Sequence, residues 1–256
     1  MKIIVKITAK FLWKVAQMVK HRLRWGVLGM LMVLLLGAGA VHPGDGTPGE
    51  IIWGGQPHRR AVALTFDDGP ASPYTGDILA LLKEYGAKAT FFVLGARVEQ
   101  YPHLVKAMIE GGHEVGNHTF SHPRLLNVAR PVWIEELERT QLALDLLGCP
   151  SGRGLVRPPY SAYDERLVSY LKHTGRALVL WGLDSGDWQG LEAGTIAHNV
   201  LSRVKNGSII IFHDSDEEGR ASRRATVEAL EIILPALKKA GYAMVTISEL
   251  CGRRRH

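Results

Sequence analysis

Beyond about residue 60 the chain alternates between two rhythms of apolar and polar positions. Compact runs rich in β-branched and aromatic residues come first: AVALTF (Ala61–Phe66), ATFFVLG (Ala89–Gly95), HEVGNH (His113–His118) and GLVRPP (Gly154–Pro159). ALVLWGLD (Ala177–Asp184), SIIIFHD (Ser208–Asp214) and YAMVTIS (Tyr242–Ser248) come after them. Runs of this length and make-up predict strands. In the stretches between them, such as GDILALLKEYG, PHLVKAMIEGG and ATVEALEIILPALKKAG, apolar residues return every three or four positions and the pattern closes on Gly. That is the signature of amphipathic helices. Strand and helix in alternation imply parallel strands with helices packed outside. Seven candidate strands in roughly 190 residues exceed a small open sheet and fall one short of an eightfold barrel. The expected fold is therefore α/β, a distorted (β/α) barrel of about seven parallel strands, with a doubly wound open sheet as second choice.

The polar residues that break these patterns are not scattered. DDGP follows the first strand, NHTFSH ends the third, RPPY ends the fourth, DSGDW closes the fifth and HD the sixth. In a parallel barrel the C-terminal strand ends share one face, which is where such enzymes place their active sites. Five clusters expected on one face are the strongest functional signal in the chain.

Charge and composition change the picture mainly at the N-terminus. The formal net charge is +6, yet residues 1–24 carry seven Lys/Arg and no acid, and the remainder holds 24 Lys/Arg against 25 Asp/Glu, a net of −1. A nucleic-acid footprint, which needs a basic face on the folded domain, loses its support. After the basic segment comes the uncharged run Trp25–Val41. Basic residues followed by an apolar run ending in small residues read as an export signal. Ala38–Ala40 suits cleavage near Ala40, while about 17 apolar residues approach the length of a membrane-spanning helix. Signal peptide and single membrane anchor both stand; either way the positive-inside bias puts the chain beyond Val41 outside the cytoplasm. The expected organisation is a leader over 1–44, a Gly/Pro-rich linker over 45–59, a catalytic domain over 60–250 and a basic tail over 251–256. Cys149 and Cys251 lack metal-site spacing and leave one disulfide open.

The clusters suggest a specific chemistry. His118 and His122 are four apart, a spacing that on a helical turn brings both imidazoles to one side, and two His with a carboxylate form a common zinc set. Of the adjacent Asp67 and Asp68, one would complete that set and the other would act as base beside a metal-bound water. His213 is a candidate general acid, with Asp187 holding its ring and raising its pKa. Arg157 would pair with a catalytic aspartate. Trp188, Tyr160 and Phe212 are candidates for lining a sugar pocket, and Asp184 and Asp214 read as turn or packing residues.

In their order along the chain, TFDDGP, HTFSH, RPPY, DSGDW and IFH resemble the five motifs of the polysaccharide deacetylases, the NodB-homology carbohydrate esterases. The likeness covers about Arg60 to Leu250. It implies a distorted (β/α) barrel that removes acetyl groups from N-acetylated sugars with a divalent metal, zinc or else cobalt, nickel or manganese. Carried over, Asp67 is the general base, Asp68, His118 and His122 hold the metal, and Arg157 tethers Asp67. The Tyr160 backbone N–H supports the oxyanion, His213 tuned by Asp187 is the general acid, and Trp188 and Ile211 shape the acetyl pocket. Ser161 departs from the family, which carries Gly after Arg-Pro-Pro-Tyr. The expected substrate is an acetylated amino-sugar polysaccharide, first of all the N-acetylglucosamine of peptidoglycan in the cell wall. Chitooligosaccharides, O-acetyl groups of xylan type and a catalytically silent carbohydrate-binding protein are the alternatives.

Overall fold

The structure is a computed structural model that describes residues 50–149, 154–216 and 218–252. The leader and the end of the basic tail lie outside the described residues. No helix among the described residues is long and apolar enough to cross a membrane.

The chain runs through β1 (Ile51–Ile52), β2 (Ala61–Asp67), α1 (Tyr74–Tyr85), β3 (Ala89–Val93), α2 (Gly95–Gln100), α3 (Pro102–Glu110) and β4 (Glu114–Asn117). It continues through α4 (Arg130–Leu146), β5 (Leu155–Val156), α5 (Glu165–His173), β6 (Ala177–Val179), β7 (Leu183–Asp184) and α6 (Ala193–Leu201). β8 (Ile209–His213), α7 (Arg224–Lys239), β9 (Ala243–Met244) and α8 (Ile247–Cys251) complete it. The strands pair in the order β1-β6-β5-β4-β3-β2-β8-β7, with β9 added beside β2, and every strand ladder is parallel.

This order curls the sheet into a distorted barrel. β6 lies next to one end of the order and β7 at the other, yet only Leu180, Trp181 and Gly182 separate them in the chain. Four Cα steps span at most about 14 Å, so the two ends must approach. They are stitched there: Leu180 N–H donates to Ile52 O (2.9 Å), Gly182 N–H to Ile209 O (3.2 Å), and Gly54 bridges to Ser208. The run Ala177–Asp184 is thus two strands flanking a seam rather than the single strand expected. The segment assigned to a linker over 45–59 supplies β1 and that bridge, because Ile51 and Ile52 have an edge to pair with at β6. YAMVTIS also divides. Thr246 and Glu249 form a capping box that starts α8, ending the strand at Met244. The domain consequently extends to Cys251, which is buried.

Alternation along the strands decides what faces where. Val62, Leu64 and Phe66 of β2 and Ile210 and Phe212 of β8 point outward into the core under α1, α3, α6 and α7. Ala61, Ala63 and Ile209 point inward with Phe92, Leu155, Ala177 and Val179. Thr65, Asp67, Ile211 and His213 share this inward parity, so the barrel interior turns polar toward its C-terminal rim. At the opposite end α8 plugs the interior with Ile247, Leu250 and Cys251. Buried Glu114 holds that plug, accepting from Ser248 N–H (3.1 Å) and Thr90 Oγ1–H (3.1 Å). Cys149 belongs to the outer core and Cys251 to the inner one, and the disulfide left open by the sequence is not made between them.

Candidate active site

Asp67 is the last residue of β2. Asp68 leaves the strand in the left-handed region (φ 74°), where Asp is tolerated better than most residues. The following Gly69 has no room for a side chain, since a Cβ there would collide with the Asp214 carboxyl. His118 follows β4 directly. His122 arrives through an irregular loop with Thr119 and His122 at positive φ, not on the helical turn expected from their spacing. The outcome is nevertheless convergence: the Nε2 atoms of His118 and His122 each lie 3.3 Å from Asp68 Oδ1.

The outer ring nitrogens are engaged elsewhere. His118 Nδ1 meets Arg157 O (2.7 Å) and His122 Nδ1 meets Tyr160 Oη (3.2 Å). With Nδ1–H donating in each ring, both Nε2 lone pairs face the same carboxylate oxygen. Among the described residues no hydrogen-bond donor reaches the buried Asp68 Oδ1, and the three ligand atoms lie within 4.8 Å of one another. An orphaned carboxylate oxygen between two imidazole nitrogens fits a divalent cation with positions left open. Burial works against ionisation of Asp68; in the metal-free protein a proton carried on Nε2 of the imidazoles outweighs it and holds the carboxyl well below the usual range, the role a cation would take when bound.

Asp67 is held by a fully buried guanidinium. Arg157 donates from one terminal nitrogen to Asp67 Oδ1 (2.6 Å) and Thr65 Oγ1 (2.9 Å), and from the other to Leu180 O (3.1 Å). Its Nε reaches Val179 O (3.4 Å), and its plane lies 4.1 Å from the Phe92 ring centroid. Burial draws the Arg157 pKa below its ordinary value, with Asp67 opposing. Gly116 clears the space, since a Cβ there would meet the Phe92 ring at 2.6 Å.

Across the rim, His213 Nδ1 pairs with Asp187 Oδ1 (2.8 Å), and His213 N–H donates to Asp187 Oδ2 (2.8 Å). Thr226 Oγ1–H (2.9 Å to Oδ2) and Ser185 Oγ–H (3.2 Å to Oδ1) complete the Asp187 carboxylate. Burial alone would lower the His213 pKa; the Asp187 charge and hydrogen bond, with Asp68 and Asp67 behind them, push it up to about 9. Asp187 moves the other way: burial opposes, but His213 holds it below the usual carboxylate value. Asp214 is fully buried, and burial with the nearby Asp68 charge raises it to about 7 against a hydrogen bond from Thr75.

Asp67, Asp68, His118, His122 and His213 line one cavity of about 530 Å³, together with Ile211, Tyr160, Ser161 and Trp188. Arg157 and Asp187 stand behind this lining, each through its partner. Tyr160 and Trp188 stand out from it, 54% and 57% exposed. Tyr160 and Ser161 are consecutive left-handed residues (φ 57° and 53°), a conformation the family's Gly would adopt without strain. Asp184, assigned to a turn, accepts from Gly186 N–H (2.8 Å) as expected and also from Trp188 Nε1–H (3.3 Å), setting that ring at the cavity edge. Phe212 does not reach the pocket. Its outward parity stacks it on Phe66 at 5.6 Å in the outer core. Sequence reasoning missed Thr65, Ser185 and Thr226. Inward parity with Asp67 was the available signal for Thr65; nothing local marked the other two.

A parallel barrel carrying carboxylates and imidazoles around an aromatic-edged cavity at its C-terminal rim has the acid, base and cation-holding groups of a hydrolytic site. The family model described as polysaccharide deacetylase matches residues 54–179. A peptidoglycan-N-acetylglucosamine deacetylase of Bacillus cereus is 37% identical over 214 residues, covering 79% of this chain and 93% of the relative. A chitooligosaccharide deacetylase of a Bradyrhizobium species is 33% identical over 199 residues, 75% of this chain and 90% of the relative. Among solved structures, a peptidoglycan N-acetylglucosamine deacetylase in complex with 4-naphthalen-1-yl-N-oxidanyl-benzamide superposes with a TM-score of 0.77 at 33% identity, over 82% of this chain and 95% of that one. The chain belongs to the polysaccharide deacetylase family and is a hydrolase acting on carbon–nitrogen bonds.

Proposed function

We propose that this chain removes acetyl groups from the N-acetylglucosamine of peptidoglycan, outside the cytoplasmic membrane and with a divalent metal ion. The observation that carries the reading is the convergence of Asp68, His118 and His122 beside a tethered Asp67 and an Asp187-paired His213 in one cavity. Relatives named for peptidoglycan support the polymer, and those named for chitooligosaccharides mark the nearest alternative.

Asp68, His118 and His122 would hold zinc, or cobalt, nickel or manganese; when bound, such an ion supplies Lewis-acid polarisation of the acetamide carbonyl and of water. The chain's own residues do the rest. Arg157 occupies Asp67 Oδ1, leaving Oδ2, 3.8 Å from His118 Nε2, to take a proton from the attacking water. The water oxygen bonds to the acetyl carbon, and the Tyr160 backbone N–H supports the oxyanion that forms. Because Nδ1 of His213 is committed to Asp187, its proton for the departing nitrogen sits on Nε2. Cleavage of the C–N bond with that protonation gives acetate and a free amino sugar. Ile211 and Trp188 bound the space for the acetyl methyl. On the same proposal the leader over 1–44 exports the domain or anchors it by a single segment, supported by seven basic residues ahead of Trp25–Val41.

The test is acetate release from purified peptidoglycan and from N-acetylglucosamine oligomers, using the full chain stripped by a chelator and then supplied with zinc, cobalt, nickel or manganese. Release restored by metal and strongest on peptidoglycan is expected. Release indifferent to metal, or confined to oligomers, overturns the metal or the polymer respectively.

A further inference from the structure

The loop from His118 to His122 carries both imidazoles that face Asp68, and its short path is costly to hold. Thr119 and His122 both sit at positive φ without being glycine. Its backbone is fastened from three sides. Asn117 Oδ1 accepts Thr119 N–H (2.9 Å), and Thr119 Oγ1 accepts His122 N–H (3.2 Å). The first turn of α2 donates Gly95 N–H to Thr119 O (3.0 Å) and Ala96 N–H to Phe120 O (3.1 Å).

The third side is a single carboxylate from α4. Glu136 Oε2 accepts both Phe120 N–H (2.8 Å) and Ser121 N–H (2.7 Å), while Oε1 accepts Ser121 Oγ–H (2.8 Å). Asn117 Nδ2 donates to Leu137 O (2.8 Å), so the residue beside Glu136 is tied to the strand end that leads into the loop. Arg139 packs over Phe120, 3.5 Å from its ring centroid. Three donors from two consecutive residues converging on one carboxylate form a charge-assisted clamp, stronger than neutral bonds of the same length.

We propose that Glu136 is a positioning residue for metal binding, acting through the loop that carries His122. The inference rests on the metal-dependent reading above. His118 is placed independently, by β4 and by Arg157 O, whereas the main-chain path to His122 runs through the two amides Glu136 holds. Removing the clamp releases His122 Nε2 from its place 3.3 Å from Asp68 while leaving the barrel core intact, because Glu136 is only half-buried.

The experiment measures zinc affinity rather than turnover. The full chain, Glu136→Ala and Glu136→Gln are stripped of metal and titrated with zinc in competition with a chromophoric chelator, and each is melted with and without zinc. Glu136→Ala should bind zinc about 10- to 100-fold more weakly, the range for partners that orient metal ligands. Its zinc-induced rise in Tm should shrink, in addition to the few degrees by which loss of the clamp lowers the metal-free Tm. Glu136→Gln should fall between, because an amide oxygen still accepts both N–H groups but without charge. If Glu136→Ala folds poorly, Glu136→Gln carries the test, and an affinity within twofold of wild type overturns the proposal. A lowered metal-free Tm with unchanged zinc affinity also overturns it, showing a structural role alone. Should the wild-type chain itself take up none of zinc, cobalt, nickel or manganese, the metal-dependent reading falls first and the Glu136 proposal with it.

Discussion

Asp187→Asn is the substitution whose outcome the geometry constrains most tightly. The wild-type His213 pKa of about 9 is a balance in which burial pulls down and the Asp187 charge, 2.8 Å from Nδ1, pulls up harder. Relative to an ordinary imidazole near 6.5, the displacement corresponds to about 3 kcal/mol in favour of the protonated ring. Asn removes the charge and does more. The main-chain N–H of His213 points at Asp187 Oδ2 and cannot reverse its role, so the carboxamide oxygen must face it. The NH2 group then faces Nδ1, which must accept. Protonation of His213 would set two donors against each other, and its pKa should fall below about 6.5. Histidine ¹⁵N chemical shifts of metal-free protein, followed across pH, measure this directly. The sign for stability is that of a pKa raised by folding: the His213 contribution is complete below about 6.5 and lost as pH rises through about 9. The gap in Tm between wild type and Asp187→Asn should therefore be wide at pH 6 and narrow past pH 9. A variant in which His213 still titrates near 9 would refute the pairing.

Other substitutions separate the remaining roles. Arg157→Met leaves the Asp67 carboxylate buried and unpaired, and should cost about 3–5 kcal/mol in urea unfolding, partly recovered in Arg157→Met/Asp67→Asn. Asp67→Asn alone should bind N-acetylglucosamine oligomers almost as wild type by calorimetry, with acetate release reduced about 10²- to 10⁴-fold. Ser161→Gly exchanges about 1–2 kcal/mol of left-handed strain for up to about 1 kcal/mol of added chain entropy. It should raise Tm by about 1–4 °C in a scanning melt.

How much of this was legible in the sequence depended on whether the signal was local. AVALTF and SIIIFHD were legible as continuous apolar strand runs, and the strand period turns Asp67 and His213 to one face with Thr65 and Ile211, although Thr65 was not singled out. Of the two-residue strands, Leu155–Val156 and Ala243–Met244 fell within the runs GLVRPP and YAMVTIS, whereas Ile51–Ile52 and a separate Leu183–Asp184 were not legible, since they are strands only by virtue of their partners. The capping box at Thr246 was present in the sequence as T-x-x-E and was masked by the apolar run before it. Convergence of His118 and His122 was anticipated on the wrong backbone, because spacing alone does not distinguish a helical turn from two left-handed residues in a loop. Glu136 and Thr226 escaped altogether. Each acts from a helix remote in sequence, 15 or 16 residues from its loop partners and 39 from Asp187, and helical periodicity reports burial rather than what a polar side chain reaches.

The guanidinium of Arg157 holds Asp67 with one nitrogen and the carbonyls of Val179 and Leu180 with the others, where the two ends of the barrel meet. Proton-transfer geometry and closure of the sheet thus belong to one cooperative unit. Amide exchange at Leu180 and Gly182 should proceed only through global opening and stay as slow as in the central strands, although these residues lie between strands. Natural variation that weakens the seam would lower turnover and shelf life together, leaving evolution little freedom to trade one for the other at this position.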